Sequence, residues 1–277
     1  MTLIATRALA ATEATLLARS GIVWAATALT AMLGLVWSRA GTSTWASVAS
    51  RAGMASLVLA GVLLLLGHLA ASRDHRYGVS ETTASLPAPP FRRTRALLAL
   101  LPVAAVLGAF AFGLQLAGAA ASQPAGPLDP WAALVPIVLP VLGVAVGVSV
   151  GRWLPSAAAG GLTLFATTAV LATLPVVGAT PDALAWRLFP VELVDGDRSR
   201  PAAPGWHLIY LLAVLSTVVA VALLRHRRLV PAAFVVAGLA LAVVAIHQTA
   251  GPDREAGTAS VPSHPVQATR GFWGTDP

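Results

Sequence analysis

The sequence predicts an all-α, polytopic helical membrane protein with about seven transmembrane helices, N-terminus in and C-terminus out. Three observations lead there. Of 277 residues, 57% are hydrophobic and 10% charged, where a soluble domain carries roughly 25% charged residues. Mean hydropathy is +0.77, too apolar for a disordered chain. The apolar residues come in unbroken runs near the roughly 20 residues that cross a 30 Å hydrocarbon layer, and none alternates with the period of two that a β-barrel needs.

Residues 1–20 carry Arg7, Glu13 and Arg19 ahead of the first run. They read as an interfacial helix rather than a cleaved signal peptide, for no small-residue cleavage site follows. The predicted spans are Gly21–Trp37, Gly53–Ala71, Leu97–Ala119, Trp131–Val150, Ser156–Gly178, Trp206–Leu224 and Val230–Thr249, together a transmembrane domain over 21–249. Arginine placement orients them. Arg7, Arg19, Arg73, Arg76, Arg92, Arg93, Arg95, Arg152, Arg225, Arg227 and Arg228 fall in segments on one side, with only Glu13, Asp74 and Glu81 opposing them, so that side is expected to be cytoplasmic. Trp37, Trp131 and Trp206 fall at outer ends and Trp24 and Trp153 near inner ones, as an interfacial aromatic belt requires. Residues 179–205 form an external loop, and 250–277, rich in Pro, Gly, Ser and Thr, an external disordered tail.

Composition excludes several chemistries. The chain has no cysteine and all eighteen basic residues are arginine, so thiolate metal sites, P-loop nucleotide hydrolysis and Schiff-base catalysis cannot be built from it. The pI near 11.5 reflects arginine at a membrane face rather than nucleic-acid binding. No Asp, Glu or Arg falls in the middle of a predicted span, against a transporter coupled to ions through a charged midplane site. H-E-x-x-H and G-x-S-x-G are absent. No catalytic or metal residue is assigned. His207 and His247 fall at similar depth near the outer face, where a wet histidine needs no special role, and His68 reads as a helix-packing or interface residue.

Gly143, Gly147 and Gly151 make two overlapping GxxxG steps, a small-residue face that packs either within the chain or across a dimer seam. Pro136 and Pro140 precede it and are expected to bend the helix, and Gly160–Gly161 permits another close approach.

The longest internal cytoplasmic segment is 72–95, SRDHRYGVSETTASLPAPPFRRTR. Arg73 to Arg76 continue the second span, Gly78 can stop it, and Pro87, Pro89 and Pro90 end a short element beginning near Glu81. On its residues alone this is a loop obeying the positive-inside rule. Yet Arg73-Asp74-x-Arg76-x-Gly78-x-x-Glu81, then Leu86-Pro87-x-x-x-x-Arg92-Arg93-Thr94 and an Ala/Leu-rich span, resembles the corresponding loop in permease subunits of type-2 ATP-binding-cassette exporters, in their Ala-rich actinobacterial form. Trp206-His207-Leu208-x-Tyr210-Leu211 opening the sixth span and Leu223-Leu224-Arg225 closing it extend the likeness to about four-fifths of the chain. The seventh span and the tail depart from the usual six-span permease.

The resemblance implies a permease subunit of the plasma membrane that binds no cofactor itself and draws on ATP and magnesium through a cytoplasmic P-loop ATPase. Its partner-facing residues would be Arg73, Arg76, Gly78, Glu81, Leu86, Pro87, Arg92 and Arg93. A second permease chain, identical or not, would complete the path. Trp186, Leu188 and Phe189, on an amphipathic stretch of 180–200, would stand where such exporters carry an external gate; Pro190 and Asp195-Gly196-Asp197 read equally well as an exposed loop. Two other classes remain open: a non-transporting scaffold using the same loop, and a membrane enzyme with its chemistry around His207, Asp195 and Asp197.

Overall fold

The computed structural model describes residues 2–38, 44–78, 90–177, 188–191, 204–225 and 229–248. Among these no strand forms, and seven helical stretches are long and apolar enough to cross a membrane. The chain is a multi-pass helical membrane protein in architecture.

Helix α1 (Thr2–Ala18) precedes the first spanning helix, α2 (Gly21–Ser38). Helix α3 (Trp45–Ala71) runs into the single turn α4 (Arg73–Arg76). Helix α5 (Pro90–Leu97) leads through Leu98 and Ala99 into α6 (Leu100–Ala120), and the two make one crossing. Then come α7 (Pro130–Trp153), α8 (Ala157–Val177), α9 (Pro204–Leu224) and α10 (Leu229–Gln248). Asp129 caps α7, accepting from the backbone N–H groups of Trp131 and Ala132 at 2.7 and 3.4 Å, with Pro130 in the first turn where its missing N–H costs nothing. The helix is continuous through Pro136 and Pro140, both buried.

The second spanning helix starts eight residues before the expected Gly53. A reciprocal capping box between Thr44 and Ser47 begins it. Arg51, which reads as a loop charge, lies in its second turn, with Nη1 donating to the Trp37 carbonyl at 2.8 Å. That contact satisfies an orphan carbonyl at the end of α2, so the guanidinium is used locally.

The order of contacts along each pair fixes the helix directions. Gly143, Gly147 and Gly151 meet Ala60, Leu64 and His68 in sequence, so α3 and α7 run parallel. Trp131 lies by Gly205, and the Trp153 indole donates to the Val221 carbonyl at 2.9 Å, which makes α9 parallel to both. Gly34 and Trp24 of α2 meet Gln115 and Phe110 of α6, so that pair is parallel as well. Helix α8 opposes α3, with Gly61 near Leu164 and Gly160 beneath His68. The ends of α3, α7 and α9 therefore share one face of the bundle with the starts of α2, α5 and α8. Arg73, Arg76, Arg93, Arg152 and Arg225 gather there.

At the centre, α3 and α7 are pressed together by small residues. A Cβ on Gly147 would run into the Leu64 carbonyl, and one on Gly143 into that of Ala60. Gly67 returns the fit from α3, its ideal Cβ position 2.9 Å from the Val144 carbonyl. The glycine face is filled inside one chain, not left as a dimer seam. Leu59, Leu63, Leu100, Ala104, Leu107, Val144 and Val148 complete the core around it.

Candidate functional site

The arginine-rich end is where charge, burial and the segment singled out from sequence come together. Helix α3 ends at Ala71, and α4 projects Arg73, Asp74 and Arg76 from it. Gly78 sits at φ +67°, the left-handed conformation in which glycine lacks the Cβ penalty. Two ion pairs fasten this turn. Arg73 Nη1 donates to Glu13 Oε1 at 2.9 Å, reaching back to α1, and Arg93 Nη1 donates to Asp74 Oδ2 at 2.9 Å, reaching forward to α5. Glu13 is buried, so its charge needs this partner. Arg76 instead donates to the Leu69 carbonyl at 3.1 Å, leaving Tyr77 exposed beside it.

Of the partner-facing residues inferred from sequence, Arg73, Arg76, Gly78 and Arg93 thus lie together on this face, and Arg92 falls within α5. Glu81, Leu86 and Pro87 lie outside the described residues. Two arginines that the sequence places on this side, but outside the partner-facing set, join the same end. Arg152 in the last turn of α7 feels the like charges of Arg225 and Arg93 and the opposite charge of Asp74. Their convergence is a long-range consequence of α7 and α9 running parallel, which no local pattern announces.

The opposite end is built differently. Residues 188–191 pack into the bundle: Phe189 and Val191 are buried with Val135, Leu139 and Leu211. Val191 fills the space left by Gly53. His207 Nε2–H donates to the Pro190 carbonyl over 3.0 Å, and the Tyr210 hydroxyl donates to the Leu188 carbonyl at 3.4 Å. His207 is 4% exposed. The wet interfacial histidine expected from sequence is instead an anchor for a returning segment. Leu188 is half-buried. Trp186, Asp195, Asp197 and the tail from 250 lie outside the described residues. His247 is exposed, and among the described residues no cluster of metal-ligating side chains forms.

Comparison with family models, curated proteins and solved structures finds no match. The chain's own geometry therefore carries the functional reading.

Inside the bundle, polar groups are few and used in packing. His68 is buried, its Nε2 3.1 Å from the Ser156 carbonyl and its ring against Gly160. Gln115 donates to the Thr30 carbonyl at 2.8 Å and occupies the space above Gly34. Both roles are those of residues that hold helices together in lipid.

Proposed function

We propose that the chain is the membrane-spanning permease subunit of an ATP-binding-cassette transporter, acting as an exporter in the plasma membrane and powered by a separate P-loop ATPase. The arginine-rich end faces the cytoplasm in this reading, with the N-terminus in and the C-terminus out, because arginine accumulates on the side from which helices insert. The ATPase docks on the 73–95 segment and supplies ATP and magnesium from its own site. A second permease chain lines the path with this one. Catalysis belongs to the partner, since a chain without lysine has no Walker lysine to offer.

The observation that carries the reading is the pair of ion bridges at α4. Arg73–Glu13 joins the turn to α1 and Arg93–Asp74 joins it to α5, while α3 enters it directly. A push on this segment is delivered to three helices at once, as a rigid-body or shear step. It reaches the bundle's centre because α3 is locked to α7 along the glycine seam. A loop serving only as a connection needs no such bracing.

The test is purification from native membranes in mild detergent. A P-loop ATPase is expected to co-purify, with hydrolysis stimulated by the permease. Arg76→Ala and Glu81→Ala are expected to lower co-purification and stimulation about tenfold, as for the loss of a charged contact, while the permease still elutes as a folded species. Solute movement down an ion gradient by the protein reconstituted alone overturns the reading. Unchanged partner capture by both variants removes the loop from its role.

A further inference from the structure

Three arginines end up at the same end of the bundle on three different helices. Arg93 opens the α5–α6 crossing, Arg152 stands in the last turn of α7, and Arg225 follows α9 directly. The Trp153 indole bonded to the Val221 carbonyl holds the ends of α7 and α9 together. Asp74 is the one carboxylate in the group and is bonded to Arg93. Among the described residues, three guanidinium groups gather about this one carboxylate, and Arg152 feels Arg225, Asp74 and Arg93. Arg152 is partly buried, and its Nε–H is enclosed with no acceptor among the described residues.

We propose that Arg93, Arg152 and Arg225 form a binding site for the phosphate headgroup of an anionic phospholipid. A planar guanidinium presents paired N–H donors that match phosphate oxygens. Basic pockets between transmembrane helices are suited to anionic lipid headgroups. The surroundings select an amphiphile over a soluble anion. Trp153 is 49% exposed and Leu154 60% exposed immediately beside Arg152, so the approach to the charge crosses apolar surface at the depth where an indole marks the membrane border. The site shares Arg93 with the docking segment of the transport reading, but Arg152 and Arg225 lie outside that segment, so variants at those two test lipid retention separately from partner docking.

Native mass spectrometry of the purified chain tests it, with phosphatidylglycerol and phosphatidylcholine of identical acyl chains offered in turn. One phosphatidylglycerol is expected to be retained at least tenfold more tightly than phosphatidylcholine. Arg152→Gln and Arg225→Gln are each expected to weaken its retention about fivefold, the scale of one arginine at an anionic surface. Arg225 is exposed at a helix end, so its variant keeps the test open if Arg152→Gln does not fold. Arg19→Gln removes an equal charge from an exposed position at the same end and is expected to leave retention unchanged. Equal binding of the two lipids, or wild-type retention in both site variants, overturns the proposal. So does an equal loss in Arg19→Gln, which would reduce the effect to general surface charge. Displacement of the lipid by millimolar inorganic phosphate, with phosphate stabilising the fold as well as lipid does, reassigns the arginines to a soluble anion and also overturns it.

Discussion

The α3–α7 seam and the outlying helices α8 and α10 are all apolar enough to cross a membrane, yet they occupy opposite places in the bundle. Helices α2 and α8 both have a mean hydropathy of 1.6 over their spanning stretch, but 39% of α2's stretch is buried in the protein and 11% of α8's. Helix α3 at 2.2 and α10 at 2.3 differ in the same way, with 44% and 22% buried. Hydropathy places a helix in the bilayer, where lipid tails are as apolar as leucine. It does not draw one helix to another. Small residues do. Helix α7 presents Gly143, Gly147 and Gly151 to α3, and α3 returns Gly67. Helix α8 contributes Gly160 alone, while Gly161 faces open space and Leu162, Phe165 and Val170 point outward. Helix α10 meets α9 through Gly238 against Ala213, Ser216 and Thr217.

The largest effect is expected where that closeness is destroyed. Gly147→Leu forces a side chain into the Leu64 carbonyl and the His68 backbone, neither of which can rotate away. Overpacking costs typically about 1–3 kcal/mol and more against rigid backbone, so the variant should lose its folded, monodisperse form in detergent. Phe165→Ala on the open face of α8 should leave the thermal midpoint within about a degree, since a side chain 73% exposed gives up few protein contacts. If both variants behave alike, the seam is not what centres the bundle.

A sharper version uses neighbouring glycines of α8. Gly160→Ala brings a methyl within 2.6 Å of the His68 ring, which itself fills the gap between α3 and α8. A loss of about 1–2 kcal/mol is expected, read as a lowered unfolding midpoint. Gly161→Ala meets nothing within 4 Å and should be neutral or stabilising by up to about 0.5 kcal/mol, as a glycine removed from a helix interior.

This contrast also shows how far the sequence is legible. The seven crossings are, because a run of apolar residues long enough for the bilayer leaves the backbone no alternative to helix. The glycine ladder is legible as a close-packing face, but a small-residue face looks the same whether its partner is α3 or another chain. Arg51 obscures the start of α3 because its compensation, the Trp37 carbonyl, lies across a turn. His207 is misread for a similar reason: the Pro190 carbonyl to which it donates sits 17 residues upstream, in a stretch that reads equally well as an exposed loop. The arginine-rich end is half legible. Arg73, Arg76 and Arg93 stand out by clustering in one segment, whereas Arg152 stands alone and Arg225 belongs to a separate run with Arg227 and Arg228, so that Arg152 and Arg225 meet only in the fold.

A polar contact inside the membrane should matter less than either glycine clash. Gln115 donates to the Thr30 carbonyl, while its Oε1 and the Thr30 hydroxyl are buried with no partner among the described residues. Gln115→Leu removes one hydrogen bond and one unsatisfied acceptor together, so the two effects oppose each other. The net change is expected within about 0.6 kcal/mol, the average for such bonds between transmembrane helices. Pairing Gln115→Ala with Gly34→Ala sharpens this. Gly34 has no room for a methyl because Gln115 fills it, so Gly34→Ala should be harmful alone and tolerated once the glutamine is shortened. Additive effects in that double-mutant cycle would show that the two residues do not share the space.

A small stability effect is also expected at the arginine-rich end, and there the comparison turns to function. Arg73 is 40% exposed and Glu13 10%, so water screens one side of the pair, and exposed pairs are worth about 0–1 kcal/mol. Removing the charge of the buried partner while keeping its shape, Glu13→Gln, should therefore lower stability by under about 1 kcal/mol. High salt should shrink the difference further by screening the pair. The same substitution frees α1 from α4 without touching the docking residues. In the permease reading, ATPase co-purification should persist while stimulation of hydrolysis falls, because the partner still binds a segment that no longer moves α1 with it. The glycine seam gives the opposite signature: its loss removes the folded protein before coupling can be measured. Capture and stimulation falling together in Glu13→Gln would mean that the bridge shapes the docking surface itself rather than transmitting its movement.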